Sequence, residues 1–192
     1  DDARYPREWV SSWCRGYLRA ACDHMIVWAN IVAPLRLFDG QIVENPIRPY
    51  FSLARGAIES AAQILWVLAP TDSVDRVERH LRLVQGDLLE EAKAFRRVGQ
   101  IDAVSIADER VAAIATATGA PPSAAPGYVD MVRAAASFGS LDPDQVELTW
   151  RVASAAAHGK SWFVHETHRF TVGEEFADWY FRTFVMPDPE RI

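Results

Sequence analysis

The chain has 192 residues, 49% hydrophobic and 24% charged with seven Trp, a balance that excludes a disordered polypeptide and suits one core better than two. A formal net charge of -6 excludes broad coating of nucleic acid, so phosphate could be engaged only through a local basic patch. No apolar run approaches the ~20 residues of a membrane-spanning helix, the opening Asp1-Asp2-Ala3-Arg4 has no signal-peptide form, and the cysteines show no CxxC spacing, so a cytoplasmic protein with no membrane partner is expected.

From Pro6 to about Phe38, the residues Trp9, Trp13, Tyr17, Ala20/Ala21, His24, Trp28 and Ile31 recur at three and four positions, which predicts a long helix with an aromatic face. Aromatics at this spacing are expected in the core. Pro34 kinks this helix or ends it early, because proline lacks a backbone donor and clashes with the preceding turn. Cys14 and Cys22, eight residues apart on it, would be ~12 Å apart and cannot bridge. Asp39-Gly40 signals a turn, and Asn45-Pro46 reads as the start of the next helix.

The second helix, about Ile47 to Leu68, is expected to bury Phe51, Ala54, Ile58, Ala61, Leu65 and Leu68 and to carry Ser52, Arg55, Glu59 and Gln63 on its opposite side. The third opens on Thr71 or Asp72 as N-cap and runs to about Val98, with Val74, Val77, Leu81, Val84, Leu88 and Phe95 in near-heptad register. Its Asp75/Arg79 and Glu78/Arg82 have i,i+4 spacing. A shorter helix spans about Ser105 to Thr118, and the breaker-rich stretch 119–127 reads as a flexible loop within a single domain 1–192.

Tyr128 to Phe138 reads as a short helix stopped by Gly139. Asp142-Pro143-Asp144 then supplies an N-cap, a proline at the first helical position and an acid in the first turn. The helix they start runs to His158, with Gly159 placed for a C-terminal cap. Trp162 to Val172 reads as a short strand or an extended loop, and a last amphipathic helix is expected from about Glu174 to Val185. Successive helices without a βαβ pattern predict an all-α bundle of about six to seven helices.

Chemistry is sought first in Arg151-Val-Ala-Ser-Ala-Ala-Ala-His158. Seven residues are almost two turns, so Arg151 and His158 should leave one helical face, with Ser154 between them. A guanidinium beside an imidazole that titrates near neutrality suits metal-free RNA cleavage: the cation stabilises a phosphorane-like anion while the imidazole moves a proton. The plainer reading makes Glu147 and Arg151 a surface i,i+4 pair and leaves His158 in the last turn. Arg55 and Glu59 are spaced for an ion pair, either exposed or forming a polar network that faces Arg151 and His158. His158, His165 and His168 specify no metal geometry, and no cofactor motif is present, so neither metal nor cofactor is expected. Arg76, Arg79, Arg82 and His80 form a basic stripe interleaved with acids, which reads as a solvated face or, less simply, as an RNA track.

The Arg-x6-His segment resembles the HEPN superfamily, helical-bundle proteins whose ribonuclease members carry an Arg, four to six residues and then a His on a late helix. Val152 stands where active members often carry a polar residue. The segment Leu53 to Trp66, with the late His158-Gly159, also looks like uncharacterised bacterial helical proteins. The resemblance implies a homodimer whose groove assembles a composite RNA-cleaving site, or an inactive scaffold of that fold. Arg151 and His158 would be catalytic, Ser154 auxiliary, and Arg55 and Glu59 supporting. Members act as toxins and phage-defence effectors, which implies an antitoxin or another protein partner. The alternative from a different class is a non-catalytic helical module that binds a partner protein or a small apolar ligand through Trp9, Trp13 or Trp28.

Overall fold

A computed structural model describes residues 1–5, 7–32, 47–118, 124–188 and 190. Among them the chain forms α1 (Val10–Val32), α2 (Ile47–Leu68), α3 (Ser73–Arg97), α4 (Ile101–Thr118), α5 (Tyr128–Phe138), α6 (Pro143–Ala157), α7 (Trp162–Thr167), β1 (His168–Ala177) and β2 (Tyr180–Pro187). It is the mostly helical bundle that the periodicity predicts, with one small antiparallel hairpin added. The features expected at Pro34, Asp39-Gly40 and Asn45-Pro46, and residues 119–123 of the loop, lie outside the described residues.

Local chemistry sets the helix ends. The Asp2 carboxylate accepts from the Ser11 backbone N–H at 3.0 Å and from the Ser11 hydroxyl at 2.6 Å, which ties the N-terminus to the first turn of α1. Asp72 caps α3 by accepting from Val74 N at 2.6 Å, and Asp142 caps α6 by accepting from Asp144 N at 2.9 Å, with Pro143 opening the helix. At the far end of α6, Gly159 adopts φ +67°, the left-handed conformation in which a side chain is strained.

α2 is the hub, packing against α1, α3, α5 and α6. That position overturns the expected burial of its faces. Tyr50, Ala57, Ser60, Ala62, Trp66 and Val67 are buried, Phe51, Ala54, Ile58, Ala61 and Leu65 only partly so, and Leu68 is exposed. A helix covered on several sides has no single apolar stripe, so a two-sided reading misassigns it. The main core joins Val67, Leu81, Val84, Leu88, Ile114 and Val132; a second cluster joins Val152, Ala155, Ala156 and Phe163, with Phe51 against it. The Phe51 and Phe163 rings meet edge to face at 5.0 Å.

Four further expectations are corrected. Trp9 precedes α1 and is exposed, whereas Trp13 and Tyr17 pack on the core. α4 starts four residues earlier than Ser105, at Ile101. Among the described residues the arginines of α3 are bound elsewhere than in the expected i,i+4 pairs: Arg79 donates to Trp66 O at 2.8 Å and Arg82 to Ala124 O at 2.7 Å, both guanidinium groups lying over the Trp66 ring. Arg76 is bound to Asp1 and to the carbonyls of Pro70 and Thr71, and His80 is fully buried, so His80 does not belong to the exposed stripe in which its spacing placed it.

The largest correction is the last element. Residues 174–185 belong to a hairpin, not a helix. Thr171, Val172, Phe176, Phe181, Thr183, Phe184 and Val185 are the β-branched and aromatic residues that favour strands, but both faces carry apolar side chains. The period-2 alternation is thereby erased. Trp162 to Val172 divides between α7 and the start of β1. The hairpin is joined to α7 at its base, where Asp188 N donates to Thr167 O at 2.9 Å.

Candidate functional site

One side of α2 carries Arg48, Ser52, Arg55 and Glu59 at steps of four, three and four residues, and this side packs along α6. Arg55 Nε donates to Glu59 Oε1 at 2.8 Å, closing the ion pair that the i,i+4 spacing predicts. The same oxygen accepts from the indole Nε1–H of Trp150 on α6 at 2.9 Å. Glu59 therefore clamps two helices and fixes the orientation of the guanidinium. Gln63 donates to Glu59 O at 3.3 Å, one turn further along.

The other end of that guanidinium reaches His158. Arg55 Nη1 lies 2.9 Å from His158 Nε2. An arginine can only donate, so in this arrangement Nε2 is the acceptor and the imidazole is neutral, with its proton on Nδ1. His158 holds this position because it has left the helix. It is the C-cap of α6, with φ -92° and ψ 8°, its N–H bonded to Ser154 O at 3.0 Å and Gly159 turning the chain away behind it. The result is a line of contacts Trp150–Glu59–Arg55–His158, partly buried at the carboxylate and open to solvent at the imidazole.

Arg151 is elsewhere. Its Nε donates to Glu147 Oε1 at 2.6 Å, while Glu147 Oε2 accepts from Arg133 Nη1 at 2.6 Å and Arg133 also reaches Asp144 at 2.7 Å. The hydrogen bonds from Arg151 and then Arg133 hold the Glu147 carboxyl below its usual range. This is the surface i,i+4 pair of the plainer reading. The expected network thus joins Arg55 and Glu59 to His158 without Arg151. Ser154 is half-buried between the two, and its hydroxyl makes no hydrogen bond among the described residues. The other two histidines are engaged separately: His165 stacks on Phe170 at 5.2 Å, and His168 Nδ1 meets Thr167 Oγ1 at 2.8 Å. Among the described residues no group of three His, Cys, Asp or Glu side chains is placed to hold a metal.

Two neighbours of the site escaped sequence reasoning. Arg48 lies over the Phe163 ring at 5.0 Å and donates to Ala156 O at 3.3 Å, two residues before His158. His24 arrives from α1, against Gly56. Together with Ser52 they line an open cavity of about 680 Å³ that extends to Ala157 and Gly159, on either side of His158. The one sequence signal for this approach was Gly56, a glycine inside a helical pattern.

A second cavity, of about 780 Å³, lies beside Tyr128 and is also lined by Trp13, Tyr17, Gln63 and Asp87. Burial, then the charge of Glu59, raises the Tyr128 hydroxyl above its usual pKa; burial, then Asp87, does the same for Tyr17. Of the three tryptophans expected to bind a ligand, only Trp13 lines this space among the described residues.

Comparison of the chain with protein-family models, with curated proteins and with solved structures gives no significant match.

Proposed function

We propose that this protein is a HEPN-like endoribonuclease that cleaves RNA without a metal, and that its working centre is the Arg55–His158 pair at the junction of α2 and α6. The observation that carries this reading is the 2.9 Å contact between Arg55 Nη1 and His158 Nε2, held from behind by Glu59 and Trp150. A guanidinium fork matches the geometry of a phosphodiester, and an imidazole is suited to proton transfer near neutral pH. In the resting protein Arg55 rests on the imidazole lone pair; when a phosphate enters, the guanidinium turns to its oxygens and His158 is freed to take the proton of the 2′-hydroxyl. Arg55 then does what the sequence pattern assigns to Arg151. Arg151 stays on the exposed side of α6, with the half-buried Ser154 close to one turn further on, where the second copy of a HEPN-like homodimer would meet them.

The test is incubation of the purified chain with a mixed RNA pool in EDTA, beside the His158→Ala and Arg55→Ala variants. Cleavage by the parent and by neither variant is the expected result. An inert parent, or variants that cut as well as it does, sinks the assignment and leaves an inactive scaffold.

A second reading is favoured by a different observation. β1 and β2 expose apolar side chains on both faces, among them Val172, Phe176, Tyr180, Phe184 and Met186, and Trp179 at the tip is 89% exposed with φ +68°. A bulky residue held in that region is strained, and a bare apolar hairpin is marginal in water. In this reading the protein is a helical module that docks a protein partner through the hairpin, as an antitoxin or a second copy would dock. Purification as a stable monomer that shows no concentration-dependent association would remove its support.

A further inference from the structure

We infer that His24 is the second proton-transfer group of this site, so that a single protomer supplies both the base and the acid for cleavage; the inference rests on the ribonuclease reading above. It starts from Gly56. Glycine inside a helix is destabilising relative to alanine, so its presence in the middle of α2 calls for a reason. The reason is the imidazole of His24: a methyl group at Gly56 would stand 2.5 Å from Nε2, 2.7 Å from Cε1 and 2.8 Å from Cδ2. The ring is pressed onto the backbone of α2, and only a glycine admits it.

The residue before Gly56 on α2 is Arg55, whose guanidinium touches His158. The cavity that His24 lines runs past Arg48 and Ser52 to Ala157 and Gly159, the neighbours of His158 in sequence. His24 and Arg48 thus line one open space of about 680 Å³, Arg55 and His158 belong to the two chain segments that flank it, and the Glu59 carboxylate is already taken by Arg55 and Trp150. On a chain of net charge -6, this is the kind of local basic patch that a phosphate requires. The ligand class is the phosphodiester of single-stranded RNA, which a cavity open to solvent can admit.

The chemistry balances without a co-reactant. His158 takes the proton of the 2′-hydroxyl, the 2′-oxygen bonds to phosphorus, the bond from phosphorus to the 5′-oxygen breaks, and protonated His24 gives its proton to that leaving oxygen. The products are a 2′,3′-cyclic phosphate and a 5′-hydroxyl end, and the two histidines finish with their protonation states exchanged. Arg48 and Arg55 neutralise the charge that builds on the non-bridging oxygens.

The test compares two RNA substrates in EDTA, one ordinary and one with sulfur in place of the 5′-leaving oxygen, because a thiolate leaves without being protonated. His24→Gln should slow the ordinary substrate by roughly 10²-fold or more and cut the sulfur substrate at close to the parent rate, whereas His158→Ala should slow both. Gly56→Ala, which displaces the His24 ring while leaving its chemistry in place, should reproduce the His24→Gln pattern. Imidazole resonances of the full-length parent titrated with inorganic phosphate supply a readout that does not depend on turnover: His24 and His158 should shift along one saturation curve.

A parent that cuts RNA while His24→Gln cuts both substrates normally overturns the role of His24 and leaves the ribonuclease reading standing. Equal slowing of both substrates by His24→Gln also overturns the assignment as acid. If phosphate moves both resonances and no RNA is cut, the proton-transfer role and the ribonuclease reading fall together; if it moves His158 alone, His24 lies outside the site.

Discussion

Arg55 Nη1 stands 2.9 Å from His158 Nε2, although the two residues are 103 positions apart in the chain. Arg151, seven positions from His158, is bound instead to Glu147. The contrast separates the two arginines experimentally. Arg55→Ala should abolish RNA cleavage in EDTA, and Arg55→Lys should fail as well, because a lysine cannot hold Glu59 and His158 with one planar fork. Arg151→Ala removes a solvent-screened surface pair and should leave both stability and cleavage near those of the parent. Rates of the three variants on one RNA substrate decide the matter; loss of activity in Arg151→Ala alone would reverse the assignment.

Glu59 should be the most destabilising of the polar positions in the site. Its Oε1 accepts from both Arg55 Nε and Trp150 Nε1, and only 16% of the side chain is exposed. Glu59→Ala leaves an indole N–H and a guanidinium without their acceptor, at a cost of about 1–3 kcal/mol. Trp150→Phe, which removes one donor and keeps most of the ring, should cost less. Urea midpoints for the two variants test the order, and equal midpoints would contradict it.

His80 makes stability depend on pH. The ring is fully buried; Nε2 donates to Glu8 O at 2.9 Å, Trp13 packs on it edge to face, and Nδ1 has no hydrogen-bond partner. Burial pulls its pKa below the ordinary 6.5, outweighing the raising influence of the Glu8 carbonyl and of the Glu8 and Asp2 carboxylates. Between the folded pKa and 6.5 the unfolded chain binds the extra proton, so this contribution is complete above 6.5 and is lost as the pH falls through that window. The urea midpoint should therefore drop from pH 7.5 to pH 5, and His80→Phe should flatten that part of the dependence.

Gly159 ends α6 directly after His158 with φ +67°. An alanine there is strained by about 1–2 kcal/mol, and the strain falls on the residue that positions the imidazole. Gly159→Ala should lower the melting temperature and weaken cleavage together. Full activity in a destabilised Gly159→Ala protein would show that the cap and the imidazole are independent.

In the partner-docking reading, the triple change Phe176→Ser, Trp179→Ser and Phe184→Ser should leave the thermal midpoint of the bundle almost unchanged and abolish self-association in sedimentation. Association that survives the change would place the interface elsewhere.

The helices that were legible from sequence are those with strong local punctuation. α2, α5 and α6 begin or end where proline, the Asp142 cap and the two glycines place them, and α3 keeps the register of Val77, Leu81, Val84 and Leu88. The hairpin was not legible, because a strand with apolar residues on both faces has no period to read. In the site, Arg55–Glu59 was readable since a single helix sets its geometry. Arg55–His158 and His24–Gly56 depend on how α2 crosses α6 and α1, which no spacing within one element encodes. The seven-residue rule failed for Arg151 and His158 for a local reason: the rule assumes that both residues stay in the helix, and His158 has already left it.

The hairpin adds no residue to either buried cluster and meets the helices chiefly at its base. Most substitutions in the 18 residues of its two strands are therefore invisible to the stability of the helices. A segment released from that constraint can change its recognition chemistry quickly while the Arg55–His158 junction stays fixed by packing. Lineages of this protein should accordingly diverge fastest at the hairpin tip, the pattern of a constant tool fitted with exchangeable grips.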